Sequence, residues 1–160
     1  MKESEFIIDH ASKFSKEEIA SFKKVVLDAG EVSSYTFDGL IEKNPILLFY
    51  PNTKDIKAVG ALKIPNLGYK QRVFKESESK AKHSDFKYEL GWIVCLDKGK
   101  GIGQKVTEKL SNHLPIMYAT VRKDNLSMNH IIQKFGFKKS GNSYDSSRGD
   151  YQNNLFVKEE

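Results

Sequence analysis

The residues best suited to chemistry lie in one run, Val94-Cys-Leu-Asp-Lys98-Gly-Lys-Gly-Ile-Gly103. An apolar, strand-like stretch precedes the glycines and a helical pattern follows them. A glycine-rich turn between a strand and a helix gathers bare backbone N–H groups at the positive end of a helix dipole, which makes an anion site. Lys98, Lys100 and Lys105 favour the same kind of ligand. Two phosphate loops are excluded. A Walker loop needs Ser or Thr after its Gly-Lys, and here Lys100 is followed by Gly101. A dinucleotide fingerprint needs a third glycine where Gln104 stands, and it belongs to the first βαβ unit of a chain. The plainer reading is a glycine loop that only turns a corner.

Other constellations carry less. His10, His83, His113 and His130 have no metal-ligand spacing, and the lone Cys95 cannot complete a zinc cluster, so no metal is expected. Cys95 sits mid-strand beside Val94 and reads as a small core residue rather than a nucleophile. The chain has no Gly-x-Ser-x-Gly elbow.

These residues need elements to position them. Phe6–Ile8 reads as a first strand. Ser15-Lys-Glu-Glu18 is a capping box with Phe14 and Ile19 as its hydrophobic staple; Ile19, Phe22, Val26 and Ala29 then recur at helical spacing up to Gly30. A short helix is expected at Gly39–Lys43. Ile46–Tyr50 and Ile56–Ile64 read as hairpin partners. Residues 65–85 are polar, with Leu67, Tyr69, Val73 and Phe74 able to form a short helix, and a connection of that length in a compact domain is functional or mobile. Phe86–Leu96 is a strand, and the glycine run opens a helix through Ile102, Val106, Leu110 and Leu114 to Pro115. Ile116–Val121 is a strand, Met128–Phe135 a helix ended by Gly136, and Phe137–Lys139 and Tyr151–Val157 are strands around a polar turn.

The chain has 160 residues, room for one α/β domain over residues 1–160. Hydrophobic residues make up 39% and charged residues 29%, a balance that excludes disorder and membrane residence. The longest apolar run, Ile46–Tyr50, is strand-sized. The N-terminus is acidic where a signal peptide would be apolar, and a single cysteine fits a reducing cytoplasm. The net charge of +5 falls mostly in residues 81–160, which suits a polyanionic partner, either nucleic acid or a phosphate-rich cofactor.

At the glycine run the sequence resembles the GNAT superfamily of acyl-CoA-dependent N-acetyltransferases. Lys98-Gly-Lys-Gly101-Ile-Gly103 matches that family's pyrophosphate loop, Arg/Gln-x-x-Gly-x-Gly/Ala, with Lys in first place. Asn125 and Gly136-Phe137 keep the spacing of a second motif, and Glu89-Leu-Gly-Trp-Ile-Val94 is similar to the fourth strand. The resemblance implies a mixed, mostly antiparallel central sheet with helices on both faces and with strands 4 and 5 splayed around acyl-CoA. It implies acetyl-CoA as cosubstrate, with its pantetheine paired to backbone near Val94 and Leu96. The pyrophosphate would lie on Lys98, Gly99, Lys100, Gly101, Ile102 and Gly103, with Asn125 beside the cofactor. A homodimer is compatible with such a domain.

Transfer to an ammonium group needs a base. Glu89 stands where many family members place a glutamate, and unbroken alternation would give it the small and apolar neighbours Gly91, Ile93 and Cys95; the alternative is an edge glutamate facing solvent. The family's tyrosine acid falls seven residues after the asparagine, where this chain has Ile132. Tyr118, Tyr144 and Tyr151 are the replacements available, Tyr144 first among them, and each also reads as a packing or surface tyrosine. Three functions follow: an amine acetyltransferase working in a ternary complex, an acyl-CoA-binding module without turnover, and a toxin that acetylates aminoacyl-tRNA. The first ranks highest, because the cofactor loop already accounts for the basic residues. The acceptor amine has no signature in the sequence.

Overall fold

The computed structural model describes residues 6–159, so the acidic residues 1–5 read above against a signal peptide lie outside the described residues. The chain divides into two compact units. One comprises the residues up to Ile64 with Gly91–Leu110, the other Pro65–Leu90 with the residues from Ser111 on.

The first unit holds β1 (Ile7–His10), α1 (Lys16–Asp28), α2 (Ser34–Ile41), β2 (Ile46–Tyr50) and β3 (Ala58–Lys63). It also holds most of β4 (Glu89–Cys95) and α4 (Ile102–Ser111). Its strands are ordered β1-β2-β3-β4, with β1 and β3 both antiparallel to β2. The capping box forms as the sequence predicts. Ser15 Oγ accepts from the Glu18 N–H at 3.1 Å, Glu18 Oε1 accepts from the Ser15 N–H at 2.8 Å, and the staple residues Phe14 and Ile19 pack on the core. The second helix begins well before the expected Gly39, because the Ser33 hydroxyl caps it by accepting from the Thr36 N–H, and Phe37 and Leu40 are then buried. Phe22, Val26, Phe37 and Leu40 cover one sheet face through Phe49, Val59, Ala61 and Trp92. On the opposite face α4 approaches β3 so closely that a Cβ on Gly60 would lie 2.7 Å from Leu110 Cδ1.

The second unit contains α3 (Leu67–Glu76), the first residues of β4, β5 (Met117–Arg122), α5 (Leu126–Lys134), β6 (Lys138–Lys139), β7 (Tyr144–Asp145) and β8 (Gln152–Lys158). Strand β5 runs antiparallel to β8 from Met117↔Lys158 to Arg122↔Asn153, and β6 and β7 both pair with β8. The parallel pairing of β4 with β5 consists of Glu89↔Tyr118. With eight strands, mostly antiparallel, and five α-helices among the described residues, the fold is the mixed α/β architecture expected.

The short helix that residues 65–85 could form is present as α3, because Val73 and Phe74 find a core of Phe86, Tyr118, Leu155 and Val157. Two local differences from the sequence reading have physical causes. Tyr144 lies on a strand rather than in the polar turn, since its ring joins the same core. Helix α4 stops at Ser111, short of Pro115; beyond it the carbonyls of Leu114 and Pro115 each accept from Lys158 Nζ at 3.1 Å.

Candidate active site

The glycine-rich loop belongs to the first unit. Strand β4 ends at Cys95, whose thiol donates to Asp97 O at 3.2 Å, and α4 begins at Ile102. Between them Gly99 and Gly101 have φ of +84° and +73°, a conformation that side-chain-bearing residues resist. A Cβ at either glycine would meet nothing within 4 Å, and Lys98, Gly99, Lys100 and Gly101 are exposed. The Lys105 N–H reaches Gly101 O at 3.2 Å, while the first-turn N–H groups before it face out from the helix start without intrahelical acceptors. Ile102 is buried, so it anchors the turn and offers a ligand only its backbone. Lys100 Nζ is 3.2 Å from Asp97 Oδ2 in an exposed ion pair, an interaction that an incoming phosphate can replace. The loop therefore fits a diphosphate: open space, bare amides, a helix N-terminus and two exposed ammonium groups.

Upstream, the side chain of Val94 points into the α1/α2 core. The Leu96 N–H donates to Lys57 O at 2.7 Å, which ties that amide to the residue before β3. Alternation sends the backbone groups of Cys95 to the other edge of the strand, and these, rather than the Leu96 N–H, suit an extended amide ligand. Trp92 has φ of +53°, so β4 is irregular at its centre. The even alternation that would give Glu89 only small and apolar neighbours does not persist across it.

Glu89 lies in the second unit and is 3% exposed. Its Oε2 accepts from the Tyr69 hydroxyl at 3.1 Å. Tyr118, its partner across the parallel pair, is fully buried, and its hydroxyl has no hydrogen-bond partner of good geometry. Burial first, and the charge of Glu89 second, raise the phenol pKa values of Tyr69, Tyr118 and Tyr144 above the ordinary 10.0. These hydroxyls keep their protons at neutral pH, and a phenol made less acidic is a poorer proton donor. Tyr144 is accordingly a buried core tyrosine within reach of the Glu89 field. Tyr69 is the member of this group that sequence reasoning passed over, since it reads as one more apolar residue of α3.

Asn125 caps α5, accepting from the Met128 N–H at 3.1 Å through Oδ1, and is itself exposed. Ile132 is fully buried in that helix, and Tyr151 stacks on Arg122 at 3.9 Å. An open surface depression of about 420 Å³, lined by Lys123, Asp124, Asp150, Tyr151 and Gln152, contains none of the predicted site residues.

Comparison with known proteins bears on the fold. No family model matches the sequence, and no curated protein matches it significantly. Solved structures do. An acyl-CoA N-acyltransferase from Pseudomonas aeruginosa is similar over 96% of this chain and 98% of its own, with a TM-score of 0.69 at 13% identity. A GNAT-family acetyltransferase from Bacillus cereus covers 97% and 98% with a TM-score of 0.61 at 12% identity. Arabidopsis thaliana NAA60, in complex with acetyl-CoA, covers 95% and 98% with a TM-score of 0.61 at 11% identity. The chain has the GNAT fold.

Proposed function

We propose that the protein is an acyltransferase that moves an acetyl group from acetyl-CoA to a primary amine by direct attack in a ternary complex. The observation that carries this reading is the exposed Lys98–Gly103 turn at the start of α4, with glycines at positive φ, in a chain of GNAT fold. Acetyl-CoA supplies the activated thioester. The turn binds its pyrophosphate through backbone N–H groups, with Lys98 and Lys100 adding charge, and Cys95 and its strand neighbours align the pantetheine. Asn125, exposed where it caps α5, is assigned a place beside the cofactor by the family motif it keeps.

Glu89 takes a proton from the acceptor's ammonium onto a carboxylate oxygen, freeing the amine lone pair to attack the thioester, the role its burial and its hydrogen bond from Tyr69 support. The chain supplies no proton to the leaving sulfur. Ile132 occupies the family's acid position, Tyr144 is a core tyrosine that burial makes a poorer proton donor, and a thiolate whose conjugate acid has a pKa of about 8.5 leaves without help. Residues 1–160 act as one domain, in a reducing cytoplasm, without a resident metal.

Glu89→Gln tests the reading. It is expected to preserve acetyl-CoA binding and to lower the rate of CoA release by about 10²–10⁴-fold at pH 7, with a smaller loss at high pH where the amine is already neutral. Wild-type turnover in Glu89→Gln assigns the base elsewhere. Firm acetyl-CoA binding with no CoA release across amino acids, peptides, polyamines and aminoglycosides favours the second reading, a binding module without turnover, which the buried Ile132 motivates.

A further inference from the structure

Glu89 receives a hydroxyl from an element that the glycine-loop motif does not include. Tyr69 stands in the first turns of α3 and donates to Glu89 Oε2 at 3.1 Å, while its ring lies 5.8 Å from the Arg72 guanidinium. Several contacts fix α3 in the second unit. Lys70 Nζ donates to Phe86 O at 3.0 Å, Arg72 Nη2 to Ser147 Oγ at 2.9 Å, and Val73 and Phe74 are buried. At its end the Ser77 carbonyl accepts from the Asn142 N–H at 2.6 Å, and Asn142 Nδ2 donates to Glu78 Oε1 at 2.8 Å. The titratable groups facing Glu89 are Tyr69 from α3, Tyr118 from β5 and Tyr144 from β7, with Arg72 and Glu76 acting on Tyr144.

We propose that Tyr69 is a positioning residue for the base: its hydroxyl holds the Glu89 carboxylate ionised and oriented, so that helix α3 completes the proton acceptor. The inference rests on the acyltransfer reading above. A buried carboxylate needs donors to remain an anion, and a hydrogen bond to the charged form favours that form. Tyr69 supplies one from a helix whose placement depends on the Lys70, Arg72 and Asn142 contacts. Segment 65–85 thereby acts on the rate, since a displacement of α3 takes the donor from Glu89.

Tyr69→Phe keeps the ring and deletes only the donor. The variant is expected to lower kcat about 10-fold or more with acetyl-CoA affinity unchanged, and to move the acid limb of the pH–rate profile to higher pH. Tyr69→Phe combined with Glu89→Gln is expected to be no slower than Glu89→Gln alone, because the hydroxyl acts through the carboxylate. A second readout needs no acceptor: the pH midpoint of the Glu89 carboxyl ¹³C signal rises in Tyr69→Phe. If that midpoint rises while no amine releases CoA, the acyltransfer reading fails and the coupling of Tyr69 to Glu89 stands. An unchanged midpoint, an unchanged kcat and pH profile, or losses that multiply in the double variant overturn the proposal.

Discussion

Among the described residues the buried Tyr118 hydroxyl has no hydrogen bond of good geometry and lies in the field of Glu89, an arrangement that leaves a polar group desolvated and poorly compensated. Tyr118→Phe is therefore expected to leave stability unchanged or raise it by up to about 1 kcal/mol in urea unfolding, against the usual loss for a core substitution. The same tyrosines set an alkaline limit. Tyr69, Tyr118 and Tyr144 titrate above 10.0 when folded, so at higher pH the folded chain binds more protons than the unfolded one. Stability from these groups is complete below pH 10 and declines as the pH climbs toward their folded values; Tyr118→Phe is expected to flatten that decline. For catalysis, Tyr144→Phe is expected to change CoA release less than about 3-fold, because Tyr144 packs in the core and burial makes its phenol a poorer proton donor. A pH-dependent loss of about 10²-fold with cofactor binding preserved identifies Tyr144 as the acid after all.

Among the elements, α4 connects core packing to the anion loop. Its first turn presents the amides, and its body rests on β3 where Gly60 leaves no side chain between them. A Cβ there would lie 2.7 Å from Leu110 Cδ1 and 2.9 Å from Val106 Cγ1. Gly60→Val is expected to cost about 1–3 kcal/mol by overpacking and to weaken acetyl-CoA binding by shifting the start of α4, although position 60 touches no ligand. Equilibrium unfolding and calorimetric titration of the same variant separate the two effects. Helix α5 shows how a motif can be met by a different device. Asn125 is used as an N-cap and Ile132 as core, so helix architecture by itself accounts for the second motif's spacing.

For the whole molecule, the net charge of +5 and the exposed lysines of the loop make ligand binding a linkage experiment. Acetyl-CoA is expected to raise Tm, equivalent to about 2.7 kcal/mol at a free concentration a hundred times Kd. Adenine nucleotides without the pantetheine arm are expected to raise it less. Gly101→Val is expected to abolish the shift, since φ of +73° excludes a β-branched residue and the side chain would stand where the phosphates approach. No Tm change at millimolar acetyl-CoA contradicts the cofactor assignment. RNA affinity that falls steeply with salt while acetyl-CoA also binds redirects the acceptor toward aminoacyl-tRNA.

The glycine turn before α4, the order of the major elements and the capping box were legible in the residues because each rests on local chemistry. Glycines supply positive φ at Gly99 and Gly101, Ser15 and Glu18 satisfy each other across one helical turn, and apolar spacing marks strand or helix within a few residues. The surroundings of Glu89 were not legible. Tyr69, Tyr118 and Tyr144 come from α3, β5 and β7, and nothing in their spacing announces that they meet one carboxylate. The positive φ of Trp92, which breaks the alternation of β4, is likewise invisible in a β-propensive run. Strand β7 exists because β8 and a buried core accept Tyr144, and α3 is fixed by Phe86, Tyr118 and Leu155. Local sequence determines which segments can form, through propensity, caps and turn chemistry. Long-range packing decides which distant side chains share a desolvated volume, and there the hydrogen bonds and charges of a candidate base are set.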